Sequence, residues 1–206
     1  MRGPVLEFGR LTNLADGIFA VAMTFLAFTI QLPAASGGAD DGGLARKLMA
    51  LLPQLVTLAF SYSLAARYWV LHYKMHAIIG RGDDWLLFFD LCFLFGIVLV
   101  PFSADILGNF ALSPLSVTVY AVNVTFISMM LGLMWGYTLI CPHIVLAEEA
   151  RRLGRYYLTF SAGVAFGFLS SIGVAQLRPV LAIACWPVLL LGAHFASQRL
   201  SRRRQP

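Results

Sequence analysis

From Gly17 to Ala39 the chain carries no charged residue, and the apolar part of that run, closing near Leu32, follows directly on Arg10 and Asp16. A hydrocarbon core needs about 20 helical residues to cross, about 17 at the short end. Segment 14–32 is therefore a membrane span, and Asp16 lies at the membrane boundary or inside it. An ionisable side chain at that depth is costly and marks either function or a partnered structural group.

Cutting the rest of the chain at charges, prolines and glycines leaves five more apolar segments, 44–73, 85–107, 115–140, 156–177 and 180–196. Composition agrees: 59% hydrophobic and 12% charged residues, against about 25% charged in soluble domains, leave more apolar surface than a soluble globule of this length can hide. The expected fold is all-α and integral to a membrane, with about six transmembrane helices. Because the longest loop, 142–155, is too short to fold alone, residues 1–206 are expected to form a single transmembrane domain. The link 176–179 is short enough to force the last two segments into a hairpin.

Loop charges orient the chain. With six spans the termini share a side, which would carry Arg2, Arg10, Lys74, Arg81, Arg151, Arg152, Arg155, Arg199, Arg202, Arg203 and Arg204. The other side holds Arg46, Lys47 and Arg178, and Arg67 stays inside the second segment. Eleven cations against three place both termini in the cytoplasm. The net charge of +5 then reflects topology, not nucleic-acid binding. The C-terminal arginines read as a topology signal or a contact with anionic lipid. Arg2, Arg10, the apolar run and residues 33–36 imitate a cleavable signal peptide, but Asp16 at its entry and the length of the run argue against cleavage. Cys92, Cys141 and Cys185 are an odd set in apolar stretches and read as packing residues, not as a disulfide framework or metal site.

Residues three and four apart share a helical face. Gly17, Val21, Thr24, Phe28 and Gln31 follow that spacing down the first segment. Such a stripe could line a narrow pore in a symmetric oligomer, with Thr24 offering oxygens between apolar rings; periodicity alone favours a packing face with Thr24 bonded to its own backbone. Arg10 and Asp16, six apart, do not share a face, so each needs a partner elsewhere. Charges buried in lipid pair with one another or with hydrogen-bonding groups. A cluster of Arg10, Asp16, Trp69, His72 and Asp90 near the cytoplasmic ends of the first three spans meets that need, while His76 is equally compatible with interfacial solvation. Signatures of zinc proteases, serine hydrolases, nucleotide-binding loops and carbonyl-type potassium filters do not occur. The pairs Gly132/Gly136 and Gly163/Gly167 indicate close helix packing. Asn123-Val124-Thr125 fits a glycosylation sequon but lies within an apolar span.

Arg10 and Asp16 stand in the spacing of the R-x-x-x-F-S-D motif, with Leu14 and Ala15 in place of the phenylalanine and serine, and Gly17 to Thr24 continue it. Trp69-x-x-His72 is similar to a W-x-x-H-H motif, with Tyr73 for the second histidine, and the stretch 86–108 is similar to the helix that follows, Asp90 standing where an asparagine is usual. The chain thus resembles the transmembrane protein 175 family of endosomal, lysosomal and prokaryotic potassium channels. The resemblance implies a prokaryotic single-repeat subunit in the cell membrane, a homotetramer whose four first helices surround the pore, and no carbonyl filter. It implies potassium as the permeant species, met transiently near Thr24, with lipids and monovalent cations as the other partners and no cofactor or resident metal. It also maps the narrowest pore layers onto Val21, Thr24 and Phe28, with Gly17 and Gln31 as further lining. Two other readings stand beside it: a proton-coupled transporter relaying through Asp16, Asp90 and His72, and a membrane-embedded enzyme with His72 and Asp90 as acid and base.

Overall fold

The computed structural model describes residues 8–31, 41–79, 83–141 and 148–202. Arg2, Arg81, Arg203, Arg204, the stretch 33–36, most of the polar turn 36–43 and residues 142–147 of the longest loop lie outside the described residues. Among those described, eight α-helices follow one another: α1 (Phe8–Phe25), continued by a 3-10 turn (Leu26–Thr29), α2 (Asp41–Ala50), α3 (Leu52–Ile78), α4 (Asp84–Val98), α5 (Val100–Asn109), α6 (Pro114–Ile140), α7 (Glu148–Leu177) and α8 (Pro179–Arg202). Five units are long and apolar enough to cross a membrane, and α2 with α3 makes a sixth if the bent pair is one span. The architecture is the expected all-helical membrane fold.

Two of the expected spans are broken, each for the same reason. Between α2 and α3 the axis bends by 41° at Leu51. The Leu51 N–H is shared between the carbonyls of Lys47 and Leu48, at 3.3 and 3.2 Å. Two residues on, Pro53 has no N–H to give and its ring crowds the carbonyl four residues back. The same arrangement recurs between α4 and α5, where the Leu99 N–H is shared between Phe95 and Gly96, both at 3.2 Å, ahead of Pro101. The helix ends also run beyond the apolar segments. α3 continues to Ile78 and α7 begins at Glu148, because a helix can extend its polar turns past the hydrocarbon. At the start of α4, Asp83 accepts from the Leu86 N–H at 3.0 Å and from the Tyr137 hydroxyl, which ties this end to α6.

α6 is the central post. Of its most apolar stretch 61% is buried, against 22% for α1 and 17% for α8, so those two helices lie at the rim. Around it the helices are joined by stacked rings, Tyr120 on Trp186 at 5.1 Å and Trp135 on Tyr157 at 4.8 Å. Hydrogen bonds cross between helices too: Ser61 with Tyr120 at 2.9 Å, Tyr68 with Ser128 at 2.5 Å, and Asn123 donating to Ser103 at 3.1 Å. In lipid, where apolar burial does not drive helices together, such bonds and close packing hold a bundle. Small residues supply the packing: Gly132 and Gly136 face Ser161 and Leu158 of α7, while Gly163 and Gly167 face Ala193 and Leu189 of α8. The tightest approach is at Gly96, where an added Cβ would sit 2.6 Å from Ile127 Cγ1 and 3.1 Å from the Phe126 ring. Gly96→Val is therefore expected to destabilise the subunit by about 1–3 kcal/mol through overpacking, read as a lower melting temperature in detergent. Gly173→Ala, with nothing within 4 Å of the new Cβ, serves as the neutral comparison.

Candidate functional site

α1 presents two unlike stripes. Ala15, Phe19, Ala22 and Leu26, spaced four, three and four apart, are all buried on the bundle. Gly17, Val21, Thr24 and Phe28 have the same spacing and point roughly 160° away around the helix axis. They are exposed, Val21 at 52% and Phe28 at 73%, and no described residue covers them. The Thr24 hydroxyl donates to the Ala20 carbonyl at 2.7 Å, so its proton is used within the helix while its lone pairs remain outward.

The stripe does not run down one α-helix as far as Gln31. α1 gives way to the 3-10 turn at Leu26, and Ile30 is extended, its N–H reaching Ala27 O at 3.4 Å. Phe28 thus stands on the 3-10 turn, its ring edge-on to Phe25 at 6.0 Å, and Gln31 lies beyond the helix. A polar latch holds this end: the Gln31 N–H donates to Gln54 Oε1 at 3.0 Å, Gln54 donates to Asn109 Oδ1 at 2.9 Å, and Asn109 donates to Asp105 Oδ1 at 2.9 Å. Gly108 makes room for it, since a Cβ there would lie 3.3 Å from the Gln54 backbone.

At the other end of α1 lies a second polar group. Trp69 Nε1–H donates to Asp16 Oδ1 at 2.8 Å. Behind it, His72 Nε2 is 2.6 Å from Asp90 Oδ1, His76 Nε2 is 3.4 Å from Asp90 Oδ2, and His76 Nδ1 is 3.2 Å from Thr12 Oγ1. Asp90, His72 and His76 are all buried. The His72 ring lies parallel to Phe93 at 5.2 Å, with Phe19 at 6.1 Å. The structure thus brings together Asp16 with Trp69 and His72 with Asp90, and it leaves Arg10 out: Arg10 is exposed on the first turns of α1 and bonds to no other described residue. Tyr73 is likewise turned outward, stacked on Trp69 at 6.1 Å. Sequence reasoning left His76 undecided and did not see Thr12. The signal for His76 was its i, i+4 spacing from His72; for Thr12 there was none. The ligand atoms of His72, His76 and Asp90 lie within 4.8 Å of one another, a donor set short of the four ligands of a closed structural zinc site.

Residues 10–101 match the family model described as the endosomal/lysosomal potassium channel TMEM175. Over that stretch the chain is similar to the TMEM175 family. The match runs from α1 into the start of α5 and so contains the exposed stripe and the Asp90 group. Over nearly its full length the chain is 26% identical to a potassium channel of Streptomyces collinus, across 192 residues and 90% of each sequence. It is also 26% identical to one of Chamaesiphon minutus across 149 residues, 71% of this chain and 72% of that one. The crystal structure of a lysosomal potassium-selective channel TMEM175 homologue from Chamaesiphon minutus superposes with a TM-score of 0.77 at 22% identity, over 93% of this chain and 98% of the other. The TMEM175 fold is therefore that of the whole bundle. These relatives are channels and not enzymes, which removes the acid–base reading of His72 and Asp90.

Asp90 is buried and bonds His72 through Oδ1, while Oδ2, 3.4 Å from His76 Nε2, makes no hydrogen bond among the described residues; stripping one partner from a buried charged group typically costs about 3–5 kcal/mol. Asp90→Ala is expected to destabilise the subunit on that scale, and Asp90→Asn, which keeps the acceptor for His72, clearly less. Thermal unfolding of the two variants in detergent measures the difference.

Proposed function

We propose that the chain is a potassium-permeable channel of a bacterial inner membrane, in which four copies place the exposed stripe of α1 around a central pore and both termini face the cytoplasm. The observation that carries this reading is the pair of opposed stripes. A rim helix in lipid has no reason to keep glycine, threonine and a polar end on its outer side, whereas a helix that faces both a scaffold and an aqueous path needs two distinct faces. One subunit supplies only one such helix, so a closed ring of copies is required. The names of the relatives support potassium as the ion, and the loop charges support the orientation.

In this reading Val21 and Phe28 form apolar rings, and a constriction of that kind can bar ions by dewetting without any charge. Thr24, between them, offers hydroxyl oxygens to a partly dehydrated cation. Its proton is already directed to Ala20, so each ring presents acceptors to the path. Asp16, Trp69, His72 and Asp90 hold the helix from behind and do not touch the ion. Arg10 acts from the cytoplasmic end, and Gly17 and Gln31 lie at the two mouths.

Reconstituted in potassium-loaded vesicles, the chain is expected to conduct potassium in preference to sodium and to cross-link to four subunits. Val21→Ala and Phe28→Ala should raise conductance severalfold and weaken selectivity. Thr24→Val should chiefly shift the reversal potential, with Thr24→Ser close to the wild type. Met23→Ala, off the stripe, is the control. Equal behaviour of all these variants, or a conducting monomer, would remove α1 from the pore.

A further inference from the structure

Arg67 lies well inside α3, roughly 16 Å from its last residue, and neither the α1 stripe nor the Asp90 group uses it. It is half-buried and pairs with no carboxylate among the described residues. Its guanidinium sits over the Phe160 ring, 5.3 Å from the centroid. A ring face attracts a cation but does not neutralise it, and a cation in a membrane span normally has a counter-charge.

The surroundings supply more positive charge instead. Lys74 is two turns further along the same face of α3, and Arg152 lies opposite on α7. With Tyr156, Tyr157 and His194 they line a pocket of about 420 Å³, and none of the described lining residues is acidic. The Tyr156 hydroxyl and His194 Nδ1 lie 2.7 Å apart, and His194 Nε2 is 3.0 Å from Gln198 Nε2. Sharing Arg67 and His194 with that pocket is a second groove, about 270 Å³, walled by Phe60, Leu64, Phe160, Leu190 and Leu191. A basic, hydroxyl-bearing chamber toward the membrane surface therefore opens into an apolar slot between α3, α7 and α8.

We propose that this composite site binds an anionic glycerophospholipid, its phosphate held among Arg67, Lys74 and Arg152 and one acyl chain laid in the adjoining groove. Charge complementarity selects an anion, and the apolar groove selects a lipid over a soluble phosphate. The lipid supplies the counter-charge that no described residue gives to Arg67. The inference rests on the membrane environment of the chain and not on its conduction.

The test is native mass spectrometry of the detergent-purified oligomer titrated with dioleoylphosphatidylglycerol or dioleoylphosphatidylcholine. The wild type is expected to retain phosphatidylglycerol selectively. Arg67→Gln, and independently the exposed pair Lys74→Gln/Arg152→Gln, should lower that retention by roughly tenfold, since each cation near an anionic lipid contributes several-fold. Arg178→Gln, at the far end of the α7–α8 hairpin, should leave it unchanged. The double variant keeps the test open should Arg67→Gln fail to fold. Equal retention of phosphatidylcholine, unchanged phosphatidylglycerol retention in the double variant, or its displacement by millimolar inorganic phosphate would each overturn the proposal.

Discussion

A carboxylate buried between the helices near one end of a membrane bundle sets the terms for its neighbours. Asp90 is met on one oxygen by His72 at 2.6 Å and approached on the other by His76 at 3.4 Å. Because both histidines sit on one face of α3, a turn apart, the register of α3 against α4 is decided by this contact: sliding either helix by a residue would strand the charge. His76 passes the constraint on to α1 through Thr12, and the His72 ring, flanked by Phe19 and Phe93, forms the floor on which the buried stripe of α1 rests.

That floor matters because helices in lipid gain little from burying apolar side chains against one another. Ala15, Phe19, Ala22 and Leu26 pack well but would not by themselves hold α1 at one rotation. Two polar latches do so. Asp16 with Trp69, and Thr12 with His76, secure its first half; Gln31, Gln54 and Asn109 secure the chain where it leaves the 3-10 turn. One residue of rotation is about 100°, enough to exchange Val21 and Thr24 for their neighbours on the outer face. The identity of that face is thus fixed by hydrogen bonds at the ends of the helix.

The bundle answers the problem of charge in the membrane in two ways. Asp90 finds its partners inside one subunit, a hydrogen bond from His72 on one oxygen and the nearby His76 on the other. Arg67 finds no counter-charge among the described residues; it is left with an aromatic face and two further cations nearby, an arrangement that makes sense when the surrounding lipid, rather than the protein, carries the opposite charge.

Much of this was legible in the sequence. Apolar runs of membrane length determined the helical class and the approximate number of spans, because hydrocarbon demands internally bonded backbone whatever the neighbours are. The i, i+3, i+4 spacing of Gly17, Val21, Thr24 and Phe28 determined that these residues share a face, since that follows from helical geometry alone. The tertiary structure decided which face of α1 was buried, because that depends on what α3 and α4 present to it. It decided that His76 turns inward and that Arg10 stands apart from Asp90, as pairing acts through space and hydropathy is read along the chain. It also ended α1 at Phe25 and left Gln31 outside the helix, because the Gln31 N–H found Gln54, 23 residues away, in place of the carbonyl one turn behind it.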